Sequence, residues 1–186
     1  YNINSIVNLS ASEFVATGNK GKIFRTTNAG LNWTTDSINT QNNIRSLRKL
    51  NNSFLGIVGD KGMVLYSNNK GVNWSYIGTD TNLYLTDISM IDSSRMYVCS
   101  GAGRIHYTLN RGLDWHYQYS ADEHDLYAMC FTDSTKGYAV GSDATLLKTN
   151  TAGTVGLGNN NLVLPVTYKL NQNYPNPFNP VTTIKF

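Results

Sequence analysis

An internal repeat of 41 residues constrains the fold of this chain more than any other feature of its sequence. Three segments follow the pattern [ST]-x-N-x-G-x-[ND]-W, and they recur without insertion or deletion. The motif residues are Thr26, Asn28, Gly30 and Trp33, then Ser67, Asn69, Gly71 and Trp74, then Thr108, Asn110, Gly112 and Trp115. A repeat of this length predicts stacked supersecondary units, none of which can bury its apolar face alone.

Each repeat contains four short segments rich in β-branched and aromatic residues and bounded by Gly, Asn, Asp or Ser, which is typical of β-strands. The predicted inner strands are Ile3–Asn8, Ile44–Lys49, Leu85–Met90 and Leu126–Phe131. The predicted fourth strands are Leu31–Ser37, Val72–Gly78 and Leu113–Tyr119, each with its motif Trp inside. Four strands per repeat predict an all-β chain that forms a partial β-propeller of four-stranded antiparallel blades.

The motif is expected to form the hairpin between the third and fourth strands of each blade. Its Asn can accept backbone N–H bonds, and its Gly allows positive φ. The Trp is expected to enter the fourth strand and to cover the edge of the blade, burying a large apolar area. We therefore expect the motif to be structural.

This motif resembles the Asp-box, or BNR repeat, with Asn in the place of Asp. The segment Ile23-Phe-Arg-Thr-Thr-Asn-Ala-Gly30 is similar to the propellers of the photosystem II assembly and stability factor family. Sialidases, xyloglucanases and sortilin-type receptors also carry such boxes. The resemblance therefore implies the fold and leaves the function open.

The loops on one face of the propeller are candidates for binding. In an up-down-up-down blade, the turns between the second and third strands share a face with the links that enter the next inner strand. The box hairpins lie on the opposite face. The candidate binding face carries Lys20, Asp60, Lys61, Asp80, Asp122, Glu123, His124 and Asp125.

The acidic loop from Asp122 to Asp125 is predicted to be solvated, with a calcium or zinc site as the alternative. Contiguous side chains on a loop do not converge on one ion without a special turn. His106 and His116 are isolated and are expected to be packed or edge residues. We assign no metal ligand and no cofactor.

No catalytic residue is assigned either. Arg45 and Arg48 form the one close arginine pair, but side chains three apart on a strand point to opposite faces. Asp87 is the one unusual acid near the axis, where sister repeats carry Ser or Ala. A hydrolase of the xyloglucanase kind needs two carboxylates across a cleft.

Charge and composition narrow the classes of partner. The formal charge is +3, with 15 basic and 12 acidic residues, and the basic residues are scattered, so no nucleic-acid partner is expected. No apolar run approaches the roughly 18 residues of a membrane span. Cys99 and Cys130 are expected to be buried free thiols, with an inter-blade disulfide as the alternative.

The C-terminal segment differs in composition, since all four prolines lie at or after Pro165. Residues 154–167 are predicted to be a linker because of their Gly and Asn content. Residues 168–186 resemble the start of the type A C-terminal sorting domain of the type IX secretion system. The resemblance rests on Leu170, Gln172, Asn173, Tyr174, Pro175, Asn176, Pro177, Phe178, Asn179 and Pro180. It implies the type IX secretion machinery as a partner and export by a Gram-negative bacterium.

Together these features predict a partial propeller over residues 1–153, with three full blades and an incomplete fourth, in a piece of a longer protein. The main interpretation is a secreted or cell-surface module that binds a protein or a glycan without catalysis. Two alternatives stay open: a sialidase- or xyloglucanase-like glycoside hydrolase, and a propeller like the photosystem assembly factors.

Overall fold

The computed structural model describes residues 1–79, 81–119, 123–133 and 135–149. The predicted linker, the sorting segment 168–186, Asp80 and Asp122 lie outside the described residues. Within the described ranges the chain forms fifteen β-strands, and the one helical element is a 3-10 turn at Asn19–Gly21. No helix in this part of the chain is long and apolar enough to cross a bilayer.

The strands form four antiparallel sheets in which each strand pairs with the next along the chain. Sheet 1 contains β1 (Ile3–Asn8), β2 (Phe14–Gly18), β3 (Lys22–Thr26) and β4 (Thr34–Ser37). Sheet 2 contains β5 (Ile44–Lys49), β6 (Leu55–Gly59), β7 (Val64–Ser67) and β8 (Ser75–Tyr76). Sheet 3 contains β9 (Leu85–Met90), β10 (Met96–Ser100), β11 (Arg104–Thr108) and β12 (His116–Tyr119). In sheet 4 the described strands are β13 (Leu126–Phe131), β14 (Gly137–Gly141) and β15 (Leu146–Thr149).

The first strands of the four sheets lie side by side. Asn4 Nδ2 on β1 donates to the Ile44 carbonyl at 2.7 Å, and Thr86 Oγ1 on β9 donates to the Leu126 carbonyl at 2.6 Å. These bonds join one sheet to the next at intervals of 40 residues. Sheets whose innermost strands meet in this way are the blades of a β-propeller.

The apolar core lies between neighbouring blades. One buried cluster joins blades 1 and 2, a second joins blades 2 and 3, and a third joins blades 3 and 4. Leu47 and Ile88 are each 1% exposed because they pack against the preceding blade. Ile6 holds the same repeat position in blade 1, which has no preceding blade among the described residues, and it is 57% exposed.

A side-chain cap recurs in the turn between the first two strands of every blade. The oxygen Asn51 Oδ1 accepts the N–H groups of Ser53 and Phe54 at 2.9 and 2.8 Å. Ser10, Asp92 and Asp133 occupy the same repeat position and accept equivalent bonds. A short polar side chain at this position fixes the turn by replacing backbone partners.

The predicted inner strands have the bounds found in the structure. The predicted fourth strands are wrong by three residues at their start, because they begin after the motif Trp at Thr34, Ser75 and His116. The N–H groups of Leu31 and Asn32 bond to Asn28 within the box hairpin and so do not join the strand ladder.

The expected burial of every motif Trp is also wrong. Trp74 packs on the core between blades 1 and 2, and Trp115 packs on the core between blades 2 and 3. Trp33 has no preceding blade among the described residues and is 42% exposed. The Trp therefore seals the contact with the preceding blade and not the edge of its own blade.

Candidate functional site

The box motif closes on itself through its own polar side chains. Thr26 Oγ1 accepts the N–H of Gly30 at 3.0 Å and donates to Asn28 Oδ1 at 2.9 Å. The same Asn28 oxygen accepts the N–H of Asn32 at 3.0 Å. Equivalent bonds form around Ser67 and Asn69 and around Thr108 and Asn110. These contacts explain why the pattern requires a hydroxyl, an Asn and a Gly. They occupy the side-chain oxygens and backbone N–H groups to which a ligand would otherwise bind.

The opposite face is formed by the turns between second and third strands and by the links between blades. Gly62 N–H donates to the Leu83 carbonyl at 2.8 Å, and Ser142 N–H donates to the Asp125 carbonyl at 2.8 Å. Each turn is thus fixed to the link that enters the next blade. The structure places these two sets of loops together, in the arrangement on which the candidate binding face is based.

Several charged residues of that face form hydrogen bonds within the loops and between them. Asp60 Oδ2 accepts the N–H of Asn43 at 3.2 Å, and Asp125 Oδ1 accepts the N–H of Ala102 at 2.8 Å. His124 Nδ1 lies 2.9 Å from Thr145 Oγ1. The exposed residues Lys20, Lys61 and Glu123 occupy left-handed turn positions with φ of 56°, 57° and 51°.

A cation–aromatic pair lies on this face between blades 2 and 3. Arg45, on the irregular part of β5, donates from Nε to Asp60 Oδ1 at 2.6 Å. Its guanidinium carbon also lies 4.8 Å from the centre of the Tyr84 ring. The Arg45 side chain is 40% exposed and Tyr84 is 49% exposed. The salt bridge fixes the orientation of the guanidinium while leaving one side of the pair to solvent.

The buried carboxylate of Asp87 joins three blades. Asp87 is 2% exposed and lies on β9 of blade 3. Ser46 Oγ of blade 2 donates to Oδ1 at 2.6 Å, and the Met129 N–H of blade 4 donates to Oδ2 at 3.0 Å. Arg48 of blade 2 adds two bonds at 2.9 Å, from Nε to Oδ1 and from Nη2 to Oδ2. Both carboxylate oxygens are therefore fully engaged.

Arg48 is the exposed partner of this cluster. The side-chain hydrogen bond with Asp87 raises the pKa of Arg48. The Arg48 side chain is 52% exposed although Asp87 holds one edge of its guanidinium. The remaining N–H groups thus point away from the cluster in a fixed direction, which is a geometry suited to recognising a carboxylate or a carbonyl. The expectation that Arg45 and Arg48 point to opposite faces is wrong, because the register of β5 shifts between Ile44 and Ser46. Both side chains reach the side of blade 3, where Arg45 packs on Tyr84 and Arg48 pairs with Asp87. We call Arg45, Arg48 and Tyr84 the axial patch.

The histidines and cysteines of the described ranges do not gather on one metal-binding position. Burial, together with Arg104, lowers the pKa of His106 to about 4. His116 is exposed, with its ring centre 5.2 Å from that of Tyr107. Among the described residues no three His, Cys, Asp or Glu side chains gather within reach of one metal ion.

Both cysteines are free. The expectation that both are buried is correct for Cys99 and wrong for Cys130, which is exposed. Burial raises the pKa of Cys99 to about 12, so its thiol is protonated at neutral pH and a poor nucleophile.

The ion pair between Arg48 and Asp87 was missed by sequence reasoning, although a signal was present. Both residues depart from their repeat positions, and they stand 39 residues apart. The inner strands of consecutive blades are neighbours. Two unusual residues of opposite charge that stand nearly one repeat apart on these strands are therefore predicted to contact each other. Tyr84 gave no comparable signal, since it lies in a link that varies between repeats.

Comparison with known proteins supports the fold. No protein-family model matches the sequence, and no curated protein does. Among solved structures, YCF48 from Cyanidioschyzon merolae is 17% identical over 82% of this chain, with a TM-score of 0.66. The chain has a β-propeller fold.

Two further structures show the same similarity. YCF48 bound to a D1 peptide is 13% identical over 78% of this chain, with a TM-score of 0.54. A Niastella koreensis GH74 enzyme is 13% identical over 81% of it, with a TM-score of 0.67. This chain spans 52% and 64% of the two YCF48 chains and 30% of the GH74 chain. At such low identities the similarity shows a shared fold and does not carry an activity.

Proposed function

We propose that this chain is a non-catalytic β-propeller module that binds an extended protein segment through the axial patch. The observation that carries the proposal is the geometry of Arg48, whose guanidinium is fixed by a buried carboxylate and is still 52% exposed. A pre-oriented guanidinium loses little conformational entropy when it binds, so it favours recognition of a carbonyl or carboxylate oxygen.

The rest of the axial patch has the composition of a binding hot spot. Arg and Tyr are enriched among the few residues that dominate protein interfaces. Arg45 and Tyr84 form a stacked, half-exposed pair near the loop end of the inner strand that also carries Arg48. The peptide present in one of the similar YCF48 structures supports peptide binding as a use of this fold.

Catalysis is disfavoured by the state of Asp87. A glycoside hydrolase needs one carboxyl group that donates a proton and a second that attacks or activates water. Asp87 is the acid that the sequence places near the axis, and its two oxygens accept four hydrogen bonds from Ser46, Arg48 and Met129. A carboxylate held in this way acts as a structural anion. The hydrolase alternative and the photosystem-assembly alternative rest on similarity of fold.

A peptide selected by phage display on the wild-type chain tests the binding proposal. Fluorescence anisotropy would give its affinity for the wild type, for Arg45→Gln, for Tyr84→Ala and for the double variant Arg48→Gln, Asp87→Ser. We expect each variant to bind at least about tenfold more weakly, as for hot-spot residues. Leu113→Ala is the matched control, since Leu113 is exposed on the box face, and it should bind like the wild type.

Undiminished binding by all three axial variants would overturn the proposal. So would cleavage of xyloglucan by the wild type that Asp87→Ser abolishes, since that result would make Asp87 a catalytic acid and would favour the hydrolase. If the chain instead binds a glycan, and the same three variants weaken that binding, the axial patch is still the site but the ligand is a glycan.

We further propose that the protein is exported by the type IX secretion machinery to the cell surface or the medium. The support is the sequence from Leu170 to Phe186, which lies outside the described residues. Deleting this segment from the protein in its native Gram-negative host should retain the protein in the periplasm. Immunoblots of periplasm, cell surface and medium measure this, and normal export of the deleted form would refute the proposal. A scrambled segment of the same composition is the control.

A further inference from the structure

The outer parts of blades 2 and 3 enclose a cleft of about 570 Å³. Blade 2 contributes Thr79 and Thr81, and blade 3 contributes the side chains of β11 and of the adjoining box hairpin. The residues that matter here are Thr79, Thr81, Arg104, His106, Trp115 and Tyr117. This cleft is separate from the axial patch, which lies along the inner strand β5 and the link before β9.

The repeat supplies an internal comparison. A cleft of about 430 Å³ occupies the same place between blades 1 and 2. The two clefts share their Trp and Tyr, but three apolar residues of the first are polar in the second. The paired positions are Ile38 and Thr79, Met63 and Arg104, and Leu65 and His106. The fold therefore tolerates an apolar lining here, and packing alone does not account for the polar one.

Two polar side chains of the second cleft, Arg104 and His106, each have a buried nitrogen without a partner among the described residues, whereas the hydroxyls of Thr79 and Thr81 bond to Gly62 and Leu83. His106 is 6% exposed, and its Nε2 has no hydrogen-bond partner among the described residues. The buried Nε of Arg104 likewise has none. A buried polar nitrogen without a partner is costly, and native proteins retain few of them. Such a group in a cleft is accounted for when a ligand completes its hydrogen bonds.

The charges around the cleft indicate what kind of ligand fits. Arg104 has no ion-pair partner in the described part of the chain, and its guanidinium carbon lies 5.1 Å from the centre of the Tyr119 ring. Burial and the neighbouring Arg104 keep His106 neutral at pH 7, so it adds no charge. Asp114 also lines the cleft but is exposed, and its Oδ2 accepts an N–H from Asn110 at 2.8 Å. The unpaired cation is thus Arg104.

We infer that this cleft binds the carboxylate group of a small molecule, with Arg104 and His106 as its donors. The two oxygens of a carboxylate match two N–H donors that project from the same face of one strand, and its charge matches Arg104. The rest of the ligand lies against Tyr117 and Trp115, since binding sites combine aromatic walls with a few placed polar groups. Both nitrogens are covered in the structure, so binding requires the neighbouring side chains, among them Tyr117 beside His106 and Tyr119 beside Arg104, to move.

NMR of the histidine ring nitrogens in the whole chain tests this inference. The probes are glucuronate and glutamate, which present a carboxylate on a sugar or on an amino acid, with glucose and glutamine as neutral controls. We expect a saturable shift of the His106 ring signals with at least one acid and none with its neutral control. The acid that binds identifies the source of the carboxylate.

The matched variants restore the lining of the sister cleft. Arg104→Met and His106→Leu should each weaken binding by about tenfold or more, since each removes a charge-assisted or buried hydrogen bond. His106→Gln keeps a donor and should retain part of the affinity, which keeps the test informative if His106→Leu does not fold. Absence of a saturable shift with both acids, or equal affinity in Arg104→Met, would overturn the inference.

Discussion

Arg48 Nε and Nη2 each lie 2.9 Å from an oxygen of Asp87, which belongs to the inner strand of the next blade. The guanidinium is half exposed, whereas the carboxylate is 2% exposed. The loss of Arg48 is therefore more damaging to Asp87 than the loss of Asp87 is to Arg48. Arg48 can turn to solvent if Asp87 is removed, but Asp87 has no such route if Arg48 is removed.

Arg48→Gln should lower the free energy of unfolding by about 3 kcal/mol, because it leaves a buried carboxylate without its cation. The double variant Arg48→Gln, Asp87→Ser should recover more than half of that loss, since it restores the Ser that sister repeats carry at Ser5 and Ser46. Urea unfolding monitored by fluorescence measures both. A double variant as unstable as the sum of the two single variants would contradict the account.

The motif tryptophans should differ in their contribution to stability. Trp115 packs on the core between blades 2 and 3, and its Nε1–H donates to the Ile77 carbonyl at 2.8 Å. Trp115→Ala should therefore cost about 3–5 kcal/mol. Trp33→Ala, at the same repeat position but 42% exposed, should cost about 1 kcal/mol. Thermal unfolding of the two variants measures the difference, and equal losses would show that the Trp stabilises its own blade instead of the contact with the preceding one.

The box glycines should follow a similar gradient. Gly30 and Gly112 have φ of 87° and 80°, so Ala at either position should cost about 1 kcal/mol through backbone strain. A Cβ on Gly112 would lie 2.7 Å from Ile77 Cβ, whereas the nearest atom to a Cβ on Gly30 is 3.6 Å away. Gly112→Ala should therefore cost a further 1–3 kcal/mol or so from overpacking. Calorimetry that finds Gly30→Ala the more damaging change would refute this.

Much of the architecture could be predicted because the repeat has one physical cause. Residues one repeat apart occupy equivalent places, so Leu47 and Ile88 mark the buried side of every inner strand. Ile6 and Trp33 occupy repeat positions that pack on a preceding blade in the other units, and both are exposed because no such blade is among the described residues. Whether a residue at one of these positions is buried depends on the preceding blade and cannot be predicted from a single repeat.

The candidate sites were harder to predict because they consist of departures from the repeat. Arg48, Asp87 and His106 replace residues that sister units keep small or apolar, and Arg104 stands where the sister units carry Lys22, Met63 and Thr145. A single sequence shows that such residues are unusual but does not show what they contact. The contact of Arg45 with Tyr84 depends on the path of a link between blades, which the repeat does not specify.

His106 should make stability depend on pH. Its pKa is lowered from 6.5 to about 4 by burial and by Arg104, so the unfolded chain binds a proton before the folded chain does. Stability should therefore be full above about pH 6.5 and should fall by up to about 2 kcal/mol as the pH decreases toward 4. Urea unfolding across this range measures the slope. His106→Leu should reduce it, and an unchanged slope in that variant would contradict the assignment.

NMR mapping of the selected peptide on the wild-type chain is the decisive test of whether the chain binds a peptide through the axial patch. The side-chain Nε–H signals of Arg45 and Arg48 report on the two guanidinium groups of the axial patch, and backbone amides at the box hairpins report on the opposite face. We expect saturable shifts at Arg45, Arg48 and Tyr84, with the amides of Gly30, Gly71 and Gly112 unchanged. Shifts confined to the box hairpins, with the arginine Nε–H signals unmoved, would contradict it.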